Sequence, residues 1–386
     1  MSEEKKPFLI WMGAATDPSG YGEATRNYVL GLDDLNEFNI KLMNKSFWHG
    51  EKLDLRRVIS RLEGMAHNPI PIDQKDITVA YNLTPENYMI QRNVDNFIGV
   101  TTFETDRLPI LWVLPMRAMN AVVTYSQFNK RTFQESGIDR PIYVVPHGVD
   151  VDRYNPDVLP LEEAVEAIAG RYAFGSNFEW TERKNPRALI KAYYSAFQGK
   201  KDVVLVLKVY YQHPINESVS KVKNEIAEIK ASFGQGADLP PIILFTDMLK
   251  EEDMSSFYTA LDAYVLPSRG EGWSLTHSEA MSSGLPTIGV NWSGNTEYMT
   301  DENSLLIDYE LKGINHEDMP HNKAYVGHKW AEVDEDHLVA TMRGLYSDPQ
   351  NGCRIGRNAR QDMCNKWTWT HACRKMADVI KEVRGV

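Results

Sequence analysis

Cysteine is scarce in this chain of 386 residues: Cys353, Cys364 and Cys373 are the only three, and no two form a C-x-x-C pair. An odd, unpaired set argues against a disulfide framework and fits a reducing compartment. Long apolar runs are missing as well. None approaches the roughly 20 residues that span a bilayer, and the opening MSEEKKPFLIW has no apolar signal core with a cleavage site. The expectation is a cytoplasmic protein without a transmembrane segment. Positive charge is in deficit, with 42 Lys and Arg against 53 Asp and Glu and a net charge of −11. That balance argues against broad binding to nucleic acid or anionic membranes, which are held chiefly through Lys and Arg. Short-period repeats and low-complexity tracts are absent, which excludes solenoids and fibrous classes. The full G-x-G-x-x-G is also lacking. Gly20-Tyr21-Gly22 is followed by Thr25 where the third glycine would stand, and this disfavours dinucleotide binding.

What is present is a globular composition, 42% apolar and 25% charged, on a chain long enough for two cores. Apolar runs read as strands at 8–12, 40–43, 77–81, 97–103, 121–125 and 142–145. A second series follows at 172–178, 203–209, 242–245, 263–266 and 287–290. Helical or polar segments lie between, for example Ala24, Tyr28 and Leu32 on one face, or Leu189, Ala192, Tyr193 and Ala196 on another. Further amphipathic segments are expected at 219–232 and 251–261. Alternation of this kind predicts two mainly parallel, doubly wound sheets. The expected division is 1–165 for a first Rossmann-like domain, 166–366 for a second, and 367–386 for a last helix. Residues 308–336 are polar and break the rhythm, as a surface insertion would. His316 and His321 within HEDMPH stand five apart with Pro320 between them, which does not make a zinc helix.

The most informative stretch is Pro267 to Glu297, PSRGEGWSLTHSEAMSSGLPTIGVNWSGNTE. It follows a strand, passes through a glycine loop, and enters a short helix that Ser274 can cap and that Gly284-Leu285-Pro286 ends. A second strand and a helix near Asn295 are expected after it. Free amides and the positive dipole end at the helix start, near Ser274, Leu275 and Thr276, suit an anion such as phosphate. Glu271 in the loop and Glu279 in the helix would repel phosphate, so their suitable partners are hydroxyl groups of a sugar or ribose. Upstream, Arg183 and Lys184 place two adjacent cations where a strand gives way to a helix, and Lys208 closes another strand. In the first half, Gly20 and Gly22 let backbone approach a ligand, and Glu104 stands beyond a strand end, where ligands sit in such sheets.

The E-x7-E spacing of Glu271 and Glu279, followed by EAM, GLP and a small-residue turn ending in Glu297, resembles the family 4 retaining glycosyltransferases of the GT-B fold. Val144 to Asp150 and Arg183-Lys184-Asn185-Pro186 resemble that family's domain junction and its R-K-N/G-P signature. The resemblance implies an α/β fold of two Rossmann-like domains facing across a cleft, with the first on the acceptor side and the last helix crossing back to it. It implies transfer of a sugar from a nucleotide-sugar donor to an acceptor hydroxyl with retained anomeric configuration. The acceptor, whether glycan, lipid-linked or small molecule, stays open. Lys184 matches the lysine that neutralises the donor diphosphate, while Phe178 stands where the family often has an arginine, so Arg183 or Lys208 would supply the second charge. Glu279 would hold ribose hydroxyls, and Glu271 sugar hydroxyls or the charge at the anomeric carbon. Gly20 and Gly22 would touch donor phosphate or acceptor. Glu104 stands where the family has a His or acid. Asp150-Val151-Asp152 matches the junction, so no metal and no cofactor is assigned. The alternatives are a non-catalytic nucleotide-sugar-binding subunit and an NAD-dependent oxidoreductase.

Overall fold

The computed structural model describes residues 6–46, 56–70, 77–91, 94–211, 215–247, 249–250, 253–319 and 323–385. Glu251 (the expected start of a helix), Pro320 and His321 lie outside them. The chain divides into two compact units, one of residues 1–148 with 367–386 and one of residues 149–366. The division at Gly148 precedes the expected one at 165, because the helix at Glu162–Ile168 belongs with the second unit.

In the first unit, β1 (Phe8–Gly13), α1 (Gly20–Leu35), β2 (Asn39–Asn44), α2 (Arg56–His67), β3 (Ile77–Asn82), β4 (Asn96–Val100), α3 (Ile110–Arg117), β5 (Ala121–Thr124), α4 (Gln127–Glu135) and β6 (Ile142–Val144) follow in order. The six strands form one parallel sheet in the order β2-β1-β3-β4-β5-β6. Strands β1 and β3 are buried along their whole length, as strands covered on both faces must be. Helix α1 starts where Ser19 Oγ accepts the Gly22 amide at 3.2 Å, and it buries Ala24, Tyr28 and Leu32.

In the second unit come α5 (Glu162–Ile168), β7 (Tyr172–Glu179), α6 (Pro186–Phe197), β8 (Val203–Tyr210), α7 (Ile215–Ser232), β9 (Ile242–Phe245), α8 (Asp253–Thr259), β10 (Ala263–Leu266), α9 (Leu275–Ser282), β11 (Thr287–Val290), β12 (Leu305–Ile307), the hairpin strands β13 (Tyr309–Gly313) and β14 (Lys329–Val333), then α10 (Glu335–Ser347) and α11 (Pro349–Lys366). A last helix, α12 (Trp369–Arg384), packs on α1 and groups with the first unit. The second parallel sheet runs β12-β11-β10-β7-β8-β9. Strand order therefore reverses between β7 and β10, and the carboxyl ends at such a switch point are where α/β sheets receive ligands.

Four local expectations are corrected. The strand expected over 97–103 ends at Val100, so Glu104 sits in a bend four residues later. The helix expected near Asn295 is a 3-10 turn, Gly294–Glu297, held by Asn295 Nδ2 donating to the Val290 carbonyl at 2.8 Å. The polar segment 308–336 contains an antiparallel strand pair, β13 with β14. Ser274 does not cap α9 with its side chain: it takes a left-handed conformation (φ 74°), and its hydroxyl turns to His277 Nδ1 at 2.7 Å.

Candidate functional site

Two loops leave the second sheet at its switch point, one after β7 and one after β10. The first closes into a 3-10 turn, Glu182–Lys184, because Asn185 adopts a left-handed conformation (φ 56°) and caps α6 by accepting the Ala188 amide, with Pro186 in the first helical position. Asparagine tolerates that conformation and proline needs no amide partner there. The turn presents Arg183 and Lys184. The second loop, Ser268 to Trp273, is tied to the first by the Arg269 amide donating to the Arg183 carbonyl at 2.7 Å and by Ser268 Oγ at 3.2 Å from the same carbonyl.

Glu271 is fixed from a third direction. Its amide donates to Ser293 Oγ at 2.8 Å, and the Gly294 amide donates to its carbonyl at 2.8 Å. A Cβ on Gly294 would stand 2.1 Å from the Gly272 carbonyl oxygen, so only glycine fits there. Ser293 takes φ 77° and ψ −157°, a conformation rarely held by a residue with a side chain. With Ser274, two strained residues flank this loop, and strain of that kind persists only where the surroundings over-determine it.

The result is an ion cluster in which a buried carboxylate meets two half-buried cations. Lys184 Nζ lies 2.6 Å from Glu271 Oε1, Arg183 NH1 lies 3.4 Å from Glu271 Oε2, and the same Arg183 nitrogen donates to the Gly270 carbonyl at 2.7 Å. Burial pushes the Glu271 carboxyl up, but Lys184 and Arg183 outweigh it and hold the group at about 2. Phe178, which stands where the resembled family often has an arginine, is buried and stacks on Trp180. Arg183 is the cation that accompanies Lys184.

Glu279 is held by the hydroxyl of the buried Tyr258 at 2.7 Å, which also lies 3.0 Å from Asn177 Oδ1. Lys208 is buried at the end of β8. Burial draws its ammonium below the ordinary lysine value, and the charge of Glu279 partly offsets this. Three cations (Arg183, Lys184, Lys208) against two acids (Glu271, Glu279) give these five residues a formal charge of +1, in a chain of −11. The amides of Leu275, Thr276 and His277 precede the first hydrogen bond of α9, Ser278 to Ser274, and no side chain caps them. Anions are favoured at such an end.

Arg183, Lys184 and Glu271 are thus in contact, with Glu279 and Lys208 coupled beside them and Ser274, Leu275 and Thr276 heading the adjoining helix. Gly20, Gly22 and Glu104 lie in the first unit. There Tyr21 OH meets Thr101 Oγ1 at 2.8 Å, and the Glu104 charge acts on Tyr21. The two glycines differ. A Cβ on Gly22 would stand 2.0 Å from the Asp17 carbonyl oxygen, whereas Gly20 has open space. Tyr258, Arg269, Ser293 and Glu332 escaped the sequence reading. Only Arg269 carried a signal, its place two residues before Glu271. Among the described residues no group of three or more His, Cys, Asp or Glu is placed to hold a metal ion.

Two parallel six-stranded sheets with helices, in two units, define the GT-B fold. HepE from Anabaena, in complex with UDP and glucose, superposes with a TM-score of 0.66 over 97% of this chain and 100% of that one at 12% identity. A sucrose-phosphate synthase from Thermosynechococcus elongatus gives 0.68 over 99% and 100% at 13%. Residues 171–313, within the second unit, match the family model of the glycosyl transferases group 1. The serotype-specific mannosyltransferase WbdA of Escherichia coli is 23% identical over 281 residues, 68% of this chain and 31% of that protein. The chain therefore spans about a third of the length of that relative.

Proposed function

We propose that the chain is a glycosyltransferase that moves a sugar from a nucleoside-diphosphate sugar to an acceptor hydroxyl with retained anomeric configuration and without a metal. The observation that carries this is the Lys184–Glu271–Arg183 cluster, a buried carboxylate held by two half-buried cations at the sheet's switch point, beside an uncapped helix start. The difficult step is separation of negative charge onto the leaving diphosphate while the sugar becomes oxocarbenium-like. Lys184, Arg183 and the amides of Leu275 and Thr276 supply fixed positive charge to that diphosphate, and Lys208 adds to the field. Such preorganised groups act without reorganising at the moment of reaction.

Glu279, oriented by Tyr258, accepts from the ribose hydroxyls. Glu271, whose carboxyl is buried yet held at about 2 by Lys184 and Arg183 and so ionised at neutral pH, accepts from sugar hydroxyls or stabilises the anomeric centre. It also holds Lys184 and Arg183 at the mouth of the loop. No protein nucleophile is assigned, so the leaving phosphate takes the acceptor's proton. Glu104 and the first residues of α1, Gly20 and Gly22, are assigned to the acceptor or donor phosphate. In the same way the division of labour between a first, acceptor-side unit and a second, donor-side unit follows the family resemblance.

The test is a melting-temperature screen of UDP, GDP and ADP and their sugars against wild type, Lys184→Ala and Glu279→Ala, followed by transfer assays with the donor found. A donor-dependent rise in wild type that both variants lose supports the proposal. An unmoved wild-type melting temperature across all three bases sinks it.

A further inference from the structure

The hairpin β13–β14 lies outside the cluster described above, yet it touches both loops that build it. The Glu332 carboxylate accepts from Arg269 Nε at 3.0 Å and NH2 at 3.1 Å, and from Asn185 Nδ2 at 3.2 Å. Asn185 directly follows Lys184, and Arg269 stands two residues before Glu271. The remaining arm of Arg269, NH1, donates to the Glu182 carbonyl at 2.6 Å and lies 3.3 Å from the Glu182 carboxylate. Its guanidinium sits over the ring of Trp330, 5.0 Å from the centroid, and the Ala331 amide donates to the Arg269 carbonyl at 2.9 Å. Trp330 itself is buried. A planar fork with five donors can serve a carboxylate, a carbonyl and an aromatic face together; a lysine cannot.

We propose that the hairpin is a clamp and that Glu332 is a positioning residue: acting through Arg269 and Asn185, it sets the separation of Lys184 from Glu271 and so the place of the positive charge offered to the diphosphate. This rests on the donor-site reading of the cluster. The hydrogen bonds of Glu332 go to Asn185 and Arg269, so its effect on rate passes through the two loops that carry Lys184 and Glu271. A displacement of about 1 Å in such a group is enough to cost up to a hundredfold in rate.

The experiment is a kinetic cycle. Glu332→Gln keeps the shape of the side chain and removes its charge. It is expected to lower kcat about 10- to 100-fold while the donor KM stays within about threefold. Arg269→Lys should do the same, and the two together should cost no more than the worse single change. In a Lys184→Ala background, Glu332→Gln should cost less than about twofold more. A merely structural residue would instead multiply its cost into that background. Glu310→Gln, on the paired strand directly opposite Glu332, makes the same charge change and should leave kcat near wild type.

Multiplicative factors in the cycle, or an unchanged kcat in Glu332→Gln, overturn the clamp. Should Glu332→Gln fail to fold, the cycle run with Arg269→Lys decides in the same way. If the wild type turns over no nucleotide sugar, the donor-site reading falls. The clamp is then decided by a crystal structure of Glu332→Gln: a Lys184–Glu271 contact lengthened from 2.6 Å supports it, and an unchanged contact overturns it.

Discussion

His147 is buried against Tyr28, Tyr125 and Trp369, its ring 3.6 Å from that of Tyr125, and burial draws the imidazole down to about 3. His277, buried beside Ser274, is drawn down to about 4, again chiefly by burial. Both folded values lie below the ordinary 6.5, so the unfolded chain binds more protons than the folded one as pH falls. The stability tied to these neutral rings is complete above about 6.5 and is lost progressively toward 3–4, at about 1 kcal/mol per group for every pH unit. His147→Phe should therefore flatten the fall of melting temperature between pH 6.5 and 4; a slope equal to wild type would show that His147 does not carry it. The Glu271 value works at a lower pH. Its ion pairs persist until pH approaches 2, so protonation of Glu271 should leave no inflection in the pH–rate profile between 5 and 8. At the same scale, Lys184→Ala removes the main partner of a buried carboxylate and, on the proposed function, the charge offered to the diphosphate. The expected loss in kcat is about 10²- to 10³-fold, measured by transfer at saturating donor.

At the scale of elements, glycine contacts decide how closely helices and loops approach. Gly22→Ala forces a Cβ into the Asp17 carbonyl, whereas Gly20→Ala meets nothing within 4 Å. Denaturant unfolding should find the first destabilised by roughly 1–3 kcal/mol and the second unchanged within about 0.5 kcal/mol; equal effects would contradict the described packing of the α1 start on Asp17. The elements also show what the residue pattern could carry. The strands of the first sheet and five of the six in the second were legible because buried parallel strands are continuous apolar runs bounded by turn residues. The hairpin β13–β14 was not, since β13 is exposed along most of its length and reads as polar loop. Glu271 and Lys184 were legible through their spacing and neighbours. Tyr258 and Glu332 were not: each acts across long sequence separation, 21 residues to Glu279 and 63 to Arg269, and nothing local marks either one. Ser274 misled because its residue type suits an N-cap while the strained loop before α9 turns its hydroxyl to His277.

At the scale of the whole molecule, the second unit is continuous in sequence and the first is closed by a helix from the far end of the chain. Helix α12 docks on α1 where Gly31 faces Cys373, a Cβ there standing 2.3 Å from the sulfur, and burial pushes that thiol up to about 12. A chain ended at Lys366 should lose hydrogen-exchange protection in β1 and β3 while β7 and β8 keep theirs; equal loss in both sheets would contradict the division.

The Lys184–Glu271 cluster and the Glu279 helix are proposed to receive the diphosphate and ribose of a nucleotide sugar. The most direct measurement is a crystal structure with the nucleoside diphosphate identified by the melting screen. The predicted result places the diphosphate within hydrogen-bond reach of Lys184 and the α9 amides, with ribose hydroxyls on Glu279. Diphosphate density elsewhere, with the Lys184–Glu271 pair unvisited, would contradict it.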